Sequence, residues 1–570
     1  MRHRSKQKNQ AFVCAGPVYA SLACAGLAAL LAVPLIGQTA APAPPPTPEP
    51  TFQGADIHPS PHTMYSFMPP PSLQGDRYTL HQATMTQLIA TAYGVKADNV
   101  QGGPSWLDYD RFEITAKVPP ATPPATLKLM LQTLLKDRFN LVVHNGTGPV
   151  TATVLTLEKQ KPALKPSAGG EEADCPSDPP QTEPPPPGVI PQSVIHCHNV
   201  TMERFAQILR MKAGGYLFNK PALVDQTGLK GAYDFDLHWT NQGDLARAGA
   251  DGMSIYDALD QQLGLKLAPG VVQQPAFFVD SVNETPTPNP ADIAKILPPL
   301  PPAQFEVAVI KPSKPDERGM AGITPDRVDV RGLTLKMLIS FVWQINPLDS
   351  ESMVGAPAWL DKDKFDFLAK IATDDSAGAP KGQQVDFDQL WLMLQSLIVD
   401  RFQMKYHMEE RPVTAYSLVA VNPRLQKADP TARTKCTEGP GPDGKDPRAA
   451  NPILNRLLYC QNMTMAQFAD QLQYLANGFI YQPVKDATGL PGGWNFTLSF
   501  SSIGFVKPGI GGLPPPPSGT PGAPGTPSDP SGALSLFDAV RQQLGLKLEK
   551  ETRQAQVMVI DHINETPTEN

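Results

Sequence analysis

The sequence predicts an α+β fold in tandem duplicate: two copies of one unit, each made of two β-α-β-α-β-β half-units with small sheets covered by helices. Three observations predict it. Collinear motifs recur through the chain in the same order. Alternating apolar segments lead into helix patterns opened by Thr or Ser. Proline collects at the seams between these blocks.

The repetition is extensive. Phe52–Ser60 reads FQGADIHPS and returns as FEVAVIKPS from Phe305. Pro104, Trp106, Leu107, Asp108 and Phe112 return as Pro357, Trp359, Leu360, Asp361 and Phe365. MLQTLLKDRFNLVVH, ending at His144, matches MLQSLIVDRFQMKYH, ending at His407. The segments SIYDALDQQLGLKL from Ser254 and SLFDAVRQQLGLKL from Ser535 agree, and so do the exits NETPTPN at Asn283 and NETPTEN at Asn564. So many matches in one order define repeat 1 at 52–286 and repeat 2 at 304–570.

Within repeat 1, a short strand carrying Tyr78 and Leu80 leads to a helix with Thr84 and Gln87 as a capping box. An aromatic strand with Phe112 and Ile114 follows. Next comes a helix with Leu127, Met130, Leu131, Leu134 and Leu135 on one face, then closing strands at 141–144 and 153–157. The second half repeats the order. Val194 and Ile195 lead to a Thr201-capped helix with Met202, Phe205 and Leu209, then a strand at 233–239. A Ser254-capped helix with Ile255, Ala258, Leu259 and Gln262 precedes closing strands at 265–267 and 277–279. The Met-rich faces (Met85, Met130, Met337, Met393) are predicted as core.

Composition bounds the function. Of 570 residues 41% are hydrophobic and 18% charged, with 64 Pro, 44 Gly and a net charge of −7. Glycine at an ordinary level excludes collagen, and the negative charge excludes a nucleic-acid binder working by bulk charge. Residues 1–40 combine Arg2, Arg4, Lys6 and Lys8 with a long uncharged run, the layout of a signal peptide or an N-terminal anchor. A Pro-rich spacer (41–51), a Pro-rich linker (287–303) and a Pro/Gly-rich insertion (507–530) separate or interrupt the folded blocks. The expected location is therefore exported: periplasmic, extracellular, or anchored to the membrane facing the periplasm. Contact with a membrane is expected only through the N-terminal segment if it is uncleaved.

Outside that segment four cysteines remain, Cys175 and Cys197 in repeat 1, Cys436 and Cys460 in repeat 2. One disulfide per repeat is the expectation in an exported chain, and no metal site is predicted anywhere in it; at these cysteines only repeat 1 flanks its Cys with histidines. No GxSxG, HExxH, Walker A or GxGxxG motif opens a catalytic reading. The Asp-x-Thr-Gly elements Asp225–Gly228 and Asp486–Gly489 carry an extra residue relative to aspartic-protease loops. They are predicted as turns, with the Asp capping its own backbone and the Gly at positive φ. His144 and His407 are the histidines found in both repeats, each predicted as a surface strand-end residue beside an ion pair of Asp137–Arg138 or Asp400–Arg401, with proton transfer as the competing role. Trp106 and Trp359 are predicted at the edge of the core, with an aromatic binding platform as the competing role.

The set Phe305-Glu-Val-Ala-Val-Ile-Lys-Pro-Ser313, Pro357-x-Trp359, Phe365-Asp366, Asp400-Arg401-Phe402, Asp486-x-Thr-Gly-Leu490, Gly545-Leu-Lys-Leu548 and Val559-Ile-Asp561 resembles the "soil-associated protein" family of exported acidobacterial proteins of unknown function. Repeat 1 departs at Gly54, Ala55, Asp56 and His58. The resemblance implies export and tandem α+β modules, and it brings no catalytic residues. Residues 535–561 are similar, at the level of pattern, to the short N-terminal module of secretins and TonB-dependent receptors, which implies protein–protein contacts in the periplasm. The sequence thus reads as a non-enzymatic envelope protein, an interaction or ligand-sensing scaffold without cofactor. Its partner is an unknown envelope protein or polymer, and nucleic acid is excluded. A hydrolase acting on wall or environmental polymer and a carbohydrate-binding module are the alternatives.

Overall fold

The computed structural model covers residues 49–569 apart from 61–67, 159–161, 171, 179–190, 218–221, 243, 246–251, 300–303, 315, 316, 318, 325, 372–385, 442–444, 450, 452 and 507–531. The predicted leader 1–40, most of the spacer, the end of the linker, the Pro184–Pro187 run and the 507–530 insertion lie outside the described residues.

Each of the four half-units opens the same way. A strand runs into a helix whose N-cap is Thr84, Thr201, Thr334 or Thr464, the hydroxyl accepting from the backbone three residues on. Thr84 with Gln87 and Thr464 with Gln467 complete the reciprocal capping box. Two residues before each cap the strand bulges, with Gln82, Asn199, Gly332 and Asn462 at positive φ. The N–H of each bulge residue is bound by a side chain on the neighbouring strand: Glu113, Asp234, Asp366 and Asn495 at 2.8–3.2 Å. The bulge turns the chain from strand to helix, and the side-chain acceptor replaces the ladder bond that the bulge breaks.

In repeat 1 the first half forms an antiparallel sheet in the order Gly54–Pro59, Arg111–Lys117, Arg77–Thr84, Ser72–Gln74. The second half forms a three-stranded sheet in the order Lys165–Pro166, Tyr233–Thr240, Gln192–Val200. Repeat 2 repeats the first sheet with Phe305–Pro312, Lys364–Ile371, Arg327–Thr334, Met320–Thr324 and the second with Gln426–Lys427, Trp494–Phe500, Arg456–Met463, to which Lys435–Glu438 adds a fourth strand.

One expectation is corrected. The closing strands predicted as two short pieces are single long strands, Val142–Leu157 and Leu265–Ser281, paired antiparallel along nearly their whole length. Repeat 2 pairs Lys405–Ala420 with Leu546–His562 in the same way. The run Asn145-Gly-Thr-Gly-Pro149 looks like a turn in sequence, but its glycines make room for a ring. A Cβ on Gly146 or Gly148 would stand 2.7 or 2.8 Å from Phe278 across the ribbon.

This ribbon ties the halves together. One end, at Val279, belongs to the core built on Leu88, Ile89, Phe112, Leu131 and Phe139. The other end, at Leu155, Leu265 and Leu267, belongs to the core built on Phe205, Leu209, Leu237 and Trp239. Each half-unit is thus finished by the far end of a strand that begins in the other half. Full burial of a Phe or Leu side chain is worth about 1.5–3 kcal/mol, and both cores contain many. Met85, Met130 and Met393 are buried as predicted, whereas Met337 is 37% exposed, on the outer side of its helix.

The duplicated exits have a structural task. Arg138 donates to the carbonyl of Ala55 on the outer strand and to Thr287 and Asn289 of the exit segment. Asn289 in turn accepts from the N–H of Ile57 and donates to its carbonyl. Arg401 clasps Ala308, Thr568 and Glu569 in the same way. Among the described residues, the arginine of the pair predicted beside His144 instead clamps backbone and side-chain oxygens of the outer strand and the exit segment.

Candidate functional site

Residues 49–570 pack as one unit, and the two repeats meet at a junction of titratable groups. Its centre is His81, the residue before the first bulge. Glu113 holds that bulge: its Oε1 accepts from the Gln82 N–H and from Ser60. Its Oε2 is thereby left facing His81 Nδ1 at 2.8 Å. From repeat 2 comes Asp386, the N-cap of the helix Phe387–Arg401, whose Oδ1 accepts from the N–H groups of Asp388 and Gln389. Its Oδ2 accepts from Thr79 at 3.0 Å and Ser72 at 3.3 Å, and lies 3.3 Å from His81 Nε2. Asp388, one turn-position further and open to solvent, brings an oxygen to 3.2 Å from His81 Nδ1.

One imidazole is thus flanked by three carboxylates drawn from both repeats. The His81 side chain is 18% exposed, Glu113 14% and Asp386 7%. Burial by itself would lower the His81 pKa, but the hydrogen bonds to Asp386 and Glu113 and the charges of Asp388 and Asp386 push it up to about 10. Burial works to raise Glu113 and Asp386, yet both are held below the usual carboxylate range, by His81 with Ser60 and the Gln82 N–H, and by His81 with Gln389 and Thr79.

A second contact lies along the same junction. Arg433 of repeat 2 reaches Asp108 and Thr86 of repeat 1 and donates to the carbonyl of Gly102. The Thr434 N–H donates to the Ser105 carbonyl, and Tyr109 Oη lies 3.3 Å from Asp470. Tyr109 also packs against the apolar core of repeat 2.

The residues singled out in the sequence lie elsewhere and apart from one another. Asp225 and Asp486 accept from the N–H of Thr227 and Thr488 at 2.8 Å, with Gly228 and Gly489 at φ +71° and +66°. His144 and His407 are exposed on the long ribbons, each with Nδ1 2.9 Å from an aspartate, Asp280 or Asp561, on the paired strand. Trp106 and Trp359 sit in short 3-10 turns at the rim of the first core of each repeat. Cys175 and Cys197 lie at disulfide distance, as do Cys436 and Cys460, with Cα atoms 4.0 Å apart in both pairs.

His81, Glu113, Asp386 and Asp388 carry no local motif, because more than 300 residues separate the two sides. A signal does exist when the repeats are aligned with each other. His81 stands where repeat 2 has Arg331, while Asp386 and Asp388 stand where repeat 1 has Pro123 and Ala125. The repeats differ at the positions that face each other.

Fold and site together define a tandem α+β protein, two disulfide-bearing repeats joined through a polar junction. The family model described as "Protein of unknown function (DUF3738)" matches residues 86–282 and 336–563, and the chain belongs to that family, in two copies. No curated protein and no solved structure matches the chain.

Proposed function

We propose that this chain is an exported, non-enzymatic envelope protein that works as an interaction or ligand-sensing scaffold. The observation that carries the reading is an edge strand. Among the described residues Met320–Thr324 pairs on one side only, with Arg327–Thr334, and leaves Met320 and Ile323 exposed. Its counterpart in repeat 1, Ser72–Gln74, is set against repeat 2 through the Ser72–Asp386 bond. In repeat 1 a side chain of this strand is turned to the junction between the repeats, whereas in repeat 2 the strand carries exposed apolar side chains. An extended segment of a partner can add to such an edge, with main-chain bonds giving affinity and side-chain pockets giving specificity.

Three further points support the reading. The disulfide pairs fit an oxidising compartment, and among the described residues no helix is long and apolar enough to cross a membrane. Asp225, Asp486, His144 and His407, the acid–base groups of the hydrolase alternative, are held by separate local bonds and do not converge on one reacting atom. The resemblance to exported soil-associated proteins agrees with this placement.

The test is crosslinking of the full chain in intact envelopes, followed by quantitative binding of the captured partner. Met320→Lys with Ile323→Lys should abolish binding and leave the melting temperature within a degree or two. Binding unchanged by both charges, or turnover of peptidoglycan, peptide or glycan by the wild-type chain, overturns the proposal.

A further inference from the structure

We propose that the His81 junction is a binding site for one divalent transition-metal ion of the Zn²⁺ class, which fastens repeat 1 to repeat 2. His81, Asp386 and Asp388 each offer a ligand atom within 4.8 Å of the other two. The arrangement around the imidazole is that of a metal-binding histidine. Such a residue carries the metal on one ring nitrogen and donates the other N–H to a carboxylate that fixes its orientation. Here Glu113 Oε2 is that carboxylate, 2.8 Å from Nδ1, and it is itself fixed by Ser60 and the Gln82 N–H. Nε2 then faces Asp386 Oδ2 at 3.3 Å. That separation is long for a strong hydrogen bond and equals the ligand–ligand edge of about 3.3 Å expected when Zn–N and Zn–O bonds are about 2.0–2.1 Å in a tetrahedron.

Asp386 is built to hold that oxygen in place. Its other oxygen is pinned by two backbone N–H groups at the helix start, and Thr79 and Ser72 steer Oδ2 toward His81. Asp388 is the third candidate ligand: its exposed carboxylate lies 3.2 Å from Nδ1, beside Glu113, and has to turn from that edge of the ring toward Nε2 to reach the ion. Charge points the same way. Three carboxylates surround a single imidazole, and among the described residues no lysine or arginine pairs with any of them. A mixed imidazole–carboxylate set suits Zn²⁺ or Mn²⁺ better than a thiol-seeking ion. Two ligands come from repeat 2 and one from repeat 1, so the ion is a clamp between copies.

The test uses the full chain freed of metal by a chelator and dialysed against Zn²⁺, Mn²⁺ and, as a spectroscopic probe, Co²⁺. The expected result is one ion per chain, a rise in melting temperature with Zn²⁺, and visible Co²⁺ absorption of a low-coordinate site. Asp388→Asn, at an exposed position that leaves the fold intact, should weaken binding at least 10-fold. Glu113→Gln should weaken it by about 10- to 100-fold, as loss of an orienting carboxylate does. Absence of stoichiometric binding overturns the proposal. So does binding whose affinity survives both Asp388→Asn and His81→Asn, since the ion would then sit on other groups, such as the surface histidines His196 and His198.

Discussion

Arg433 donates from Nη1 to the Asp108 carboxylate at 3.0 Å, bridging 325 positions of sequence and the two repeats. The guanidinium is mostly covered and also feeds the carbonyl of Gly102 and the hydroxyl of Thr86. Nη1 serves both Asp108 and Thr86 while Nε and Nη2 converge on the Gly102 carbonyl, a planar fork that a lysine cannot reproduce. Arg433→Ala leaves Asp108 partly buried without its cation. We predict a loss of about 2–4 kcal/mol in chemical denaturation of the full chain, with Arg433→Lys recovering less than half. A loss below 0.5 kcal/mol would show the pair to be incidental.

The same residue tests how far the repeats depend on each other. Repeat 2 has its own cores and its own disulfide, so 304–570 expressed alone should fold and melt cooperatively. It should melt below the intact chain, because Tyr109 no longer covers its core. In that fragment Arg433→Ala should change little, since Asp108 is missing. An effect as large as in the full chain would place the role of Arg433 within repeat 2.

The disulfides should be local. Cys436 and Cys460 lie directly opposite on neighbouring antiparallel strands, and Cys175 reaches Cys197 between the bridges Asp174–His198 and Ser177–Ile195. Closing loops of 22 and 24 residues restricts the unfolded chain. Replacing either pair by alanine should cost roughly 3 kcal/mol. Peptide mapping without reductant should find Cys175–Cys197 and Cys436–Cys460. A bond between repeats, or four free thiols, would contradict both the pairing and its stabilising role.

The Asp-x-Thr-Gly turns give a prediction that separates structure from chemistry. Asp225→Asn and Asp486→Asn keep an acceptor for the Thr227 and Thr488 N–H groups, so each should cost about 1 kcal/mol or less. Alanine at either position removes the acceptor and should cost about 1–2 kcal/mol. Activity lost with stability unchanged would instead favour a hydrolase.

Much of the architecture was legible in the residues. Thr84, Thr201 and Ser254 announce helix starts because a cap is a contact over three residues, and the apolar faces of Leu131 and Phe205 follow from a period of 3.6. Duplication was legible because it is written in the order of the motifs. The long ribbon was not. Gly146, Gly148 and Pro149 have the composition of a turn, and only the ring of Phe278, from a strand more than 120 residues on, shows that they lie within a strand.

By itself the sequence determined the local and the repeated: capped helices, paired cysteines within each repeat, Asp turns, and two copies of one unit. Those features rest on neighbours a few residues apart, or on a pattern that one copy reads from the other. The tertiary structure alone decided that the halves of a repeat share one ribbon. It also decided that His81 and Glu113 of one copy meet Asp386 and Asp388 of the next. The interaction of charges depends on distance in space, and His81 comes to lie 3.3 Å from a carboxylate 305 residues away only when two folded surfaces dock.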